Sequence, residues 1–187
     1  SVFLNPGIHA LYAKVSSSRL TWYSGFVAGG AITGNCLGDP TCSTCFADIT
    51  LVSCAGFNES KIYAETTGSA YQWFFDDGTG FQPLSDGANY TGSSTNILTM
   101  VNIPSTFYGY KYKCAVNGTD NSIFTLKFEN TWTGAIDNNW ETPGNWSCFS
   151  VPDANTDVFI TSGNVNVNFS TTCRSLTIYS PAAVSIN

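Results

Sequence analysis

Short runs in which apolar and polar side chains alternate recur along the chain, each bounded by Gly, Asn, Asp, Ser or Pro. Tyr110-Lys111-Tyr112-Lys113-Cys114-Ala115-Val116 and the stretch Ser122 to Phe128 alternate residue by residue. Such a period of two predicts strands with one face on a core and the other toward water. Tyr71 to Phe75 and Ile97-Leu98-Thr99-Met100-Val101 read as further strands, with Asp76-Asp77-Gly78-Thr79-Gly80 as a turn whose Gly and Asp tolerate positive φ. Two strings recur at a fixed offset: Leu11-Tyr12-Ala13 before Trp22-Tyr23, and Ile62-Tyr63-Ala64 before Trp73-Phe74. In a β-sandwich each is a strand B, turn, strand C unit with its tryptophan inward. Trp73 is thus expected at the centre of a core.

Tyr112, two residues before Cys114, stands where a tyrosine corner puts a buried ring whose hydroxyl turns back to the backbone. From about Asn130 the pattern changes. Trp132-Thr133-Gly134, Trp140, Asn145-Trp146-Ser147 and Val151-Pro152 precede the short strands Asp157-Val158-Phe159-Ile160 and Arg174-Ser175-Leu176-Thr177-Ile178-Tyr179. The expected organisation is therefore an incomplete or compressed module over 1–50 with a Cys-rich end, a sandwich over 51–129, and a β-rich, solenoid-like segment over 130–187. Only about thirty residues lie between Trp22 and Cys54, which leaves the first module without a recognisable strand F. Rungs of a solenoid need neighbours to cover them, so the last segment reads as the start of a longer array. The competing reading of 130–187 is a small closing hairpin pair stapled by Cys148 and Cys173.

Composition sharpens the class. Charged residues make up 11% and aromatics 14% of the chain, a mixture suited to many short strands and tight turns. A net charge of -6 and seven scattered Lys and Arg argue against a phosphate backbone as partner. No apolar run reaches the length of a membrane-spanning helix. Seven cysteines beside one histidine point to an oxidising compartment and to disulfides among Cys36, Cys42, Cys45, Cys54, Cys114, Cys148 and Cys173, with one left over. Zinc competes at Cys42-Ser-Thr-Cys45 with Cys36 upstream, but a fourth ligand must come from Cys54 or the distant His9.

Candidate chemistry is sparse. His9, the sole imidazole, has no Gly-x-Ser-x-Gly setting around it, which argues against a hydrolytic triad. Thirteen carboxylates leave a glycosidase-type pair open, since separation in space is not legible in sequence. Asp76, Asp77, Asp153, Asn155 and Asp157 offer hard oxygens for calcium without the spacing of an EF-hand. Asn58, Asn89, Asn117, Asn145 and Asn168 open N-x-Ser/Thr triplets. Trp22, Tyr23 and Phe74 are the candidate binding aromatics, because neighbours on a strand face opposite ways and an outward ring can stack on a sugar or a protein.

The chain carries Cys54-Ala-Gly, Tyr71-Gln72-Trp73, Gly80-Phe81 before Leu84-Ser85, Asn89-Tyr90-Thr91-Gly92 and Gly109-Tyr110-Lys111-Tyr112-Lys113-Cys114. On these motifs, residues about 54 to 130 resemble the immunoglobulin-like modules of large secreted and cell-surface proteins of Bacteroidetes. The segment from Asn130 resembles the opening of β-helix-like repeats in the same group. One departure is that Ala64, not a cysteine, lies in strand B, with Cys54 upstream. On the sandwich reading Cys54 and Cys114 bridge the first strand to strand F. The resemblance implies a non-catalytic, cofactor-free structural or adhesive module of an exported bacterial protein, carried by the type IX route and continuous with further domains. Its expected partner is a protein or glycan surface. The alternative is an accessory, carbohydrate-binding segment of a secreted hydrolase whose catalytic domain lies elsewhere.

Overall fold

The computed structural model describes residues 13–16, 19–22, 32–34, 47–56 and 59–187. Their regular elements are β-strands apart from two single-turn 3-10 helices, Ser105–Phe107 and Pro143–Asn145. The chain divides into two compact units. The first comprises Ser1–Val52, Asn58–Asn102 and Gly109–Leu126; the second comprises Ser53–Phe57, Ile103–Tyr108 and Lys127–Asn187.

In the first unit β1 (Ala13–Ser16) and β2 (Arg19–Trp22) form an antiparallel hairpin, and β3 (Ile32–Gly34) pairs with β4 (Ala47–Ser53). The following strands are β5 (Ser60–Tyr63), β6 (Tyr71–Asp76), β7 (Gln82–Pro83), β8 (Tyr90–Thr91), β9 (Ile97–Met100), β10 (Lys111–Val116), β11 (Thr119–Asp120) and β12 (Ile123–Thr131). Antiparallel pairing gives one sheet in the order β5-β9-β8 and another in the order β12-β10-β6-β7, with β11 beside β10.

The expected repeat does not hold as a structural repeat. β1 and β2 pair with each other, Ala13 opposite Trp22, whereas β5 and β6 belong to different sheets. Connection length accounts for the difference. Only Ser17 and Ser18 separate β1 from β2, which is hairpin length, while residues 64–70 give β5 room to cross to the other sheet. Leu11, Tyr12 and Tyr23 lie outside the described residues.

Alternation decides what is buried. Trp73, Tyr112, Cys114, Val116, Phe124 and Leu126 from one sheet and Ile62, Leu98 and Met100 from the other form an apolar core. Trp73 has no exposed surface, as its position in the aromatic strand predicts, and its Nε1 donates to the Thr95 carbonyl at 2.9 Å. The tyrosine corner needs correction. The Tyr112 ring is buried, but its hydroxyl lies 3.0 Å from the Tyr90 hydroxyl and the two rings pack at 6.0 Å. Asn117 and Gly118 close the β10–β11 hairpin with φ of 51° and 80°, the left-handed pair of a type I′ turn. The Asn117 Oδ1 accepts from the Ser69 N–H, the Ser69 hydroxyl and the Ala70 N–H, so the turn also fastens the loop that leads into β6.

The second unit is built from parallel pairing. Its strands are the end of β12, then β13 (Asp157–Ile160), β14 (Asn164–Val167), β15 (Ser175–Ile178) and β16 (Ala183–Ile186). β13 lies between β12 and β15, with Asn130 opposite Val158 and Val158 opposite Leu176. β14 pairs with β16, and Asn139 bridges to Asn166 on the other side. Asp157 registers with Ser175 and Asn164 with Ala183, so the chain returns to the same column after 18 and 19 residues. Trp132, Trp140, Trp146, Val158, Ile160, Val165 and Val167 form the core between the ladders. Trp146 sits edge-on to Trp132 at 5.1 Å and to Trp140 at 4.7 Å, and its Nε1 donates to the Trp140 carbonyl at 2.7 Å. Fully buried Asn145 fastens this loop. Its Nδ2 donates to Asp137 Oδ1 and to the Asn139 carbonyl, and its Oδ1 accepts from the Ile136 and Asp137 N–H groups.

Candidate functional site

The cysteines do not pair as expected. Cys54 is bonded to Cys148, with Cα atoms 5.5 Å apart, while Cys114 and Cys173 are free thiols. The expected Cys54–Cys114 bond and the alternative Cys148–Cys173 staple are therefore both overturned. Cys114 alternates inward on β10 opposite Trp73, enclosed by the sandwich core, and Cys54 follows β4 in a turn that brings it to Cys148. Burial pushes the Cys114 thiol up to about 11, and burial followed by the nearby Asp157 charge raises Cys173. Both therefore remain thiols at neutral pH and are poor nucleophiles. Cys36, Cys42, Cys45 and His9, which the zinc alternative requires, lie outside the described residues.

A cluster of charged and hydroxyl side chains surrounds Asp157 at the start of β13. It accepts hydrogen bonds from the Tyr108 hydroxyl at 2.7 Å, from Arg174 Nη1 at 2.7 Å and from the Ser175 hydroxyl. The Arg174 guanidinium also lies 4.1 Å over the Tyr108 ring. Glu129 faces Asp157 in register across the parallel pair. Burial pushes the Asp157 carboxyl up, but the bonds from Ser175, Tyr108 and Arg174 outweigh it and hold the group below its ordinary value. Glu129 goes the other way, raised by burial and then by the Asp157 charge. Two carboxyls pushed apart in this manner are what an acid–base pair requires. Here, however, Asp157 already holds three donors, which makes it a poor proton acceptor and an effective fastener of Tyr108 to β13 and β15.

This cluster sets an acid dependence. The lowered Asp157 pKa contributes stability that is fully present above the ordinary carboxylate value and is lost as pH falls through the lowered one. Raised Glu129 contributes in the opposite sense, since its protonation at falling pH relieves a cost. Asp157→Asn is expected to lower stability at pH 7 by about 1–3 kcal/mol, and the gap from wild type should close below about pH 4. Hydrogen exchange of the β13 amides, followed against pH in both proteins, measures it. A gap that widens on acidification would reverse the sign.

Of the three candidate aromatics, Tyr23 lies outside the described residues and Trp22 ends β2 opposite Ala13. Phe74 is half-buried on the outer face of β6. The Lys113 ammonium sits 5.5 Å from its centroid and 4.5 Å from that of Phe81, and is paired with Asp120 at 2.6 Å. A lysine thus already covers the ring that a sugar or partner would stack on. This occupant was missed in sequence, although alternation across the β6–β10 register puts Lys113 opposite Phe74.

Of the calcium candidates, Asp157 holds the cluster described above, and Asp76, Asp77 and Asp153 serve turns. Asp76 Oδ1 accepts from the Gly78 and Gly80 N–H groups, Asp77 from Thr79, and Asp153 from Asn155 and Thr156. No cluster of three or more His, Cys, Asp or Glu able to hold a metal occurs among the described residues. No helix among them is long and apolar enough to cross a membrane. Of the N-x-Ser/Thr triplets, the one at Asn58 lies outside the described residues and the one at Asn145 is closed off by burial. No family model, curated protein or solved structure matches the chain.

Proposed function

We propose that the chain is a non-catalytic structural or adhesive module of a larger exported, cell-surface protein, holding and presenting binding regions. The observation that carries this reading is the use of side-chain chemistry for fastening. Asp157, Asp137, Asn117 and Asn145 all tie loops or neighbouring strands onto packed cores. The 94-residue span closed by Cys54–Cys148 supports an oxidising compartment.

The immunoglobulin-like identity of the first unit is supported by strand order: β5-β9-β8 corresponds to strands B-E-D, and β12-β10-β6-β7 to G-F-C-C′. The solenoid-like identity of the second is supported by its two parallel ladders with a step of 18–19 residues. The bacterial, type IX-exported setting rests on the sequence resemblance of residues about 54 to 130.

Incubation of the purified chain with a panel of polysaccharides is expected to release no reducing sugar. Turnover that disappears in Glu129→Gln or Asp157→Asn would replace this reading with a glycoside hydrolase. An epitope-tagged protein should be cleaved by protease added to intact cells, and complete protection there would refute the surface location.

A further inference from the structure

The column of core residues in the second unit runs on past the point where it is covered. Val158 and Ile160 register with Leu176 and Ile178, and Val165 and Val167 with Val184 and Ile186. The first member of each pair is a core residue, at most 8% exposed. In the second set Leu176 is 43%, Ile178 44% and Ile186 83% exposed, and Val184 is half-buried. Among the described residues β15 pairs only with β13 and β16 only with β14, so each has an open side carrying unpaired backbone groups. Open edges normally carry charge to block strand addition, yet Ser175 to Asn187 contains no charged residue.

We propose that this edge takes up a further two-strand rung of polypeptide of the same pattern, paired parallel to β15 and β16 and apolar at two inward positions of each strand. Continuity with the existing ladders identifies the occupant. They are parallel throughout, and the four uncovered positions carry the residue types that fill the covered ones. A second copy meeting this edge about a two-fold axis would bring its strands in antiparallel, against that pattern. The inference rests on reading the second unit as stacked rungs and is independent of the adhesive role.

The test extends the full chain beyond Asn187 with a copy of residues 169–187, one step of the ladder. A control extension carries serine at the copied positions of Leu176, Ile178, Val184 and Ile186. Hydrogen exchange at Ser175–Ile178 and Ala183–Ile186 is expected to slow at least about tenfold with the apolar extension and to remain unchanged with the serine one. Equal exchange in both would overturn the proposal. So would a concentration-dependent dimer of the parent chain, seen by sedimentation and abolished by Leu176→Asp, since a second copy would then occupy the edge. Fast exchange at Val158 and Ile160 in the parent would remove the rung reading beneath the proposal, a separate failure from polysaccharide turnover.

Discussion

Trp73→Ala is expected to unfold the first unit. The indole has no exposed surface, its Nε1 holds the Thr95 carbonyl, and its ring packs 6.3 Å from that of Phe124. Truncating a buried aromatic of this size costs about 3–5 kcal/mol, through lost transfer free energy and the cavity left behind. A small domain has only about 5–15 kcal/mol in total, so the variant sits at or below the threshold of folding. Trp73→Phe separates the contributions. It keeps most of the apolar volume but removes the hydrogen bond to the Thr95 carbonyl, worth about 0.5–1.5 kcal/mol. Hydrogen exchange should show protection lost across β6, β9 and β10 in the alanine variant and only reduced in the phenylalanine one. Native-like protection in Trp73→Ala would mean that the core does not depend on this residue.

β6 and β9 were read from their aromatic and aliphatic runs, whereas alternation made β10 and β12 legible because each has one face on a core, and a period of two is then written directly into the residues. The same signal was present at Asn164-Val165-Asn166-Val167 and went unread, since the run is four residues long and flanked by Gly and Asn. A period of two also carries no information about the partner. It does not say that β13 and β15 run parallel, nor that β1 folds onto β2. Tyr112 was legible as a buried ring, but its hydroxyl partner sits on the two-residue strand β8, too short to leave a pattern.

The site was less legible than the fold. Tyr108 and Asp157 are 49 residues apart and Arg174 a further 17 beyond, and nothing local marks them as a cluster. The string around Trp140 and Asn145-Trp146 stood out by composition. What sequence did not supply is the reason, which is that Asn145 satisfies the backbone of a loop whose tryptophans fill the core. Disulfide connectivity was out of reach for a different reason, because several pairings satisfy the same cysteine count.

The Cys54–Cys148 bond is expected to account for much of the chain's stability. It closes a loop of 94 residues, and in the chain-entropy model restricting the unfolded ensemble over such a span contributes about 4–5 kcal/mol. The variant to compare is Cys54→Ser with Cys148→Ser, because a single substitution leaves a thiol free to form a mixed bond with Cys173. Denaturant unfolding of the double variant should show a lower midpoint than wild type. Mass mapping of non-reduced peptides should join the peptides bearing Cys54 and Cys148. Alkylation should reach Cys114 only after unfolding, since it is fully buried and its thiol is pushed up to about 11. A peptide joining Cys54 to Cys114 would instead restore the strand-to-strand bond expected of the sandwich, and the position of Cys114 opposite Trp73 would then have to be abandoned.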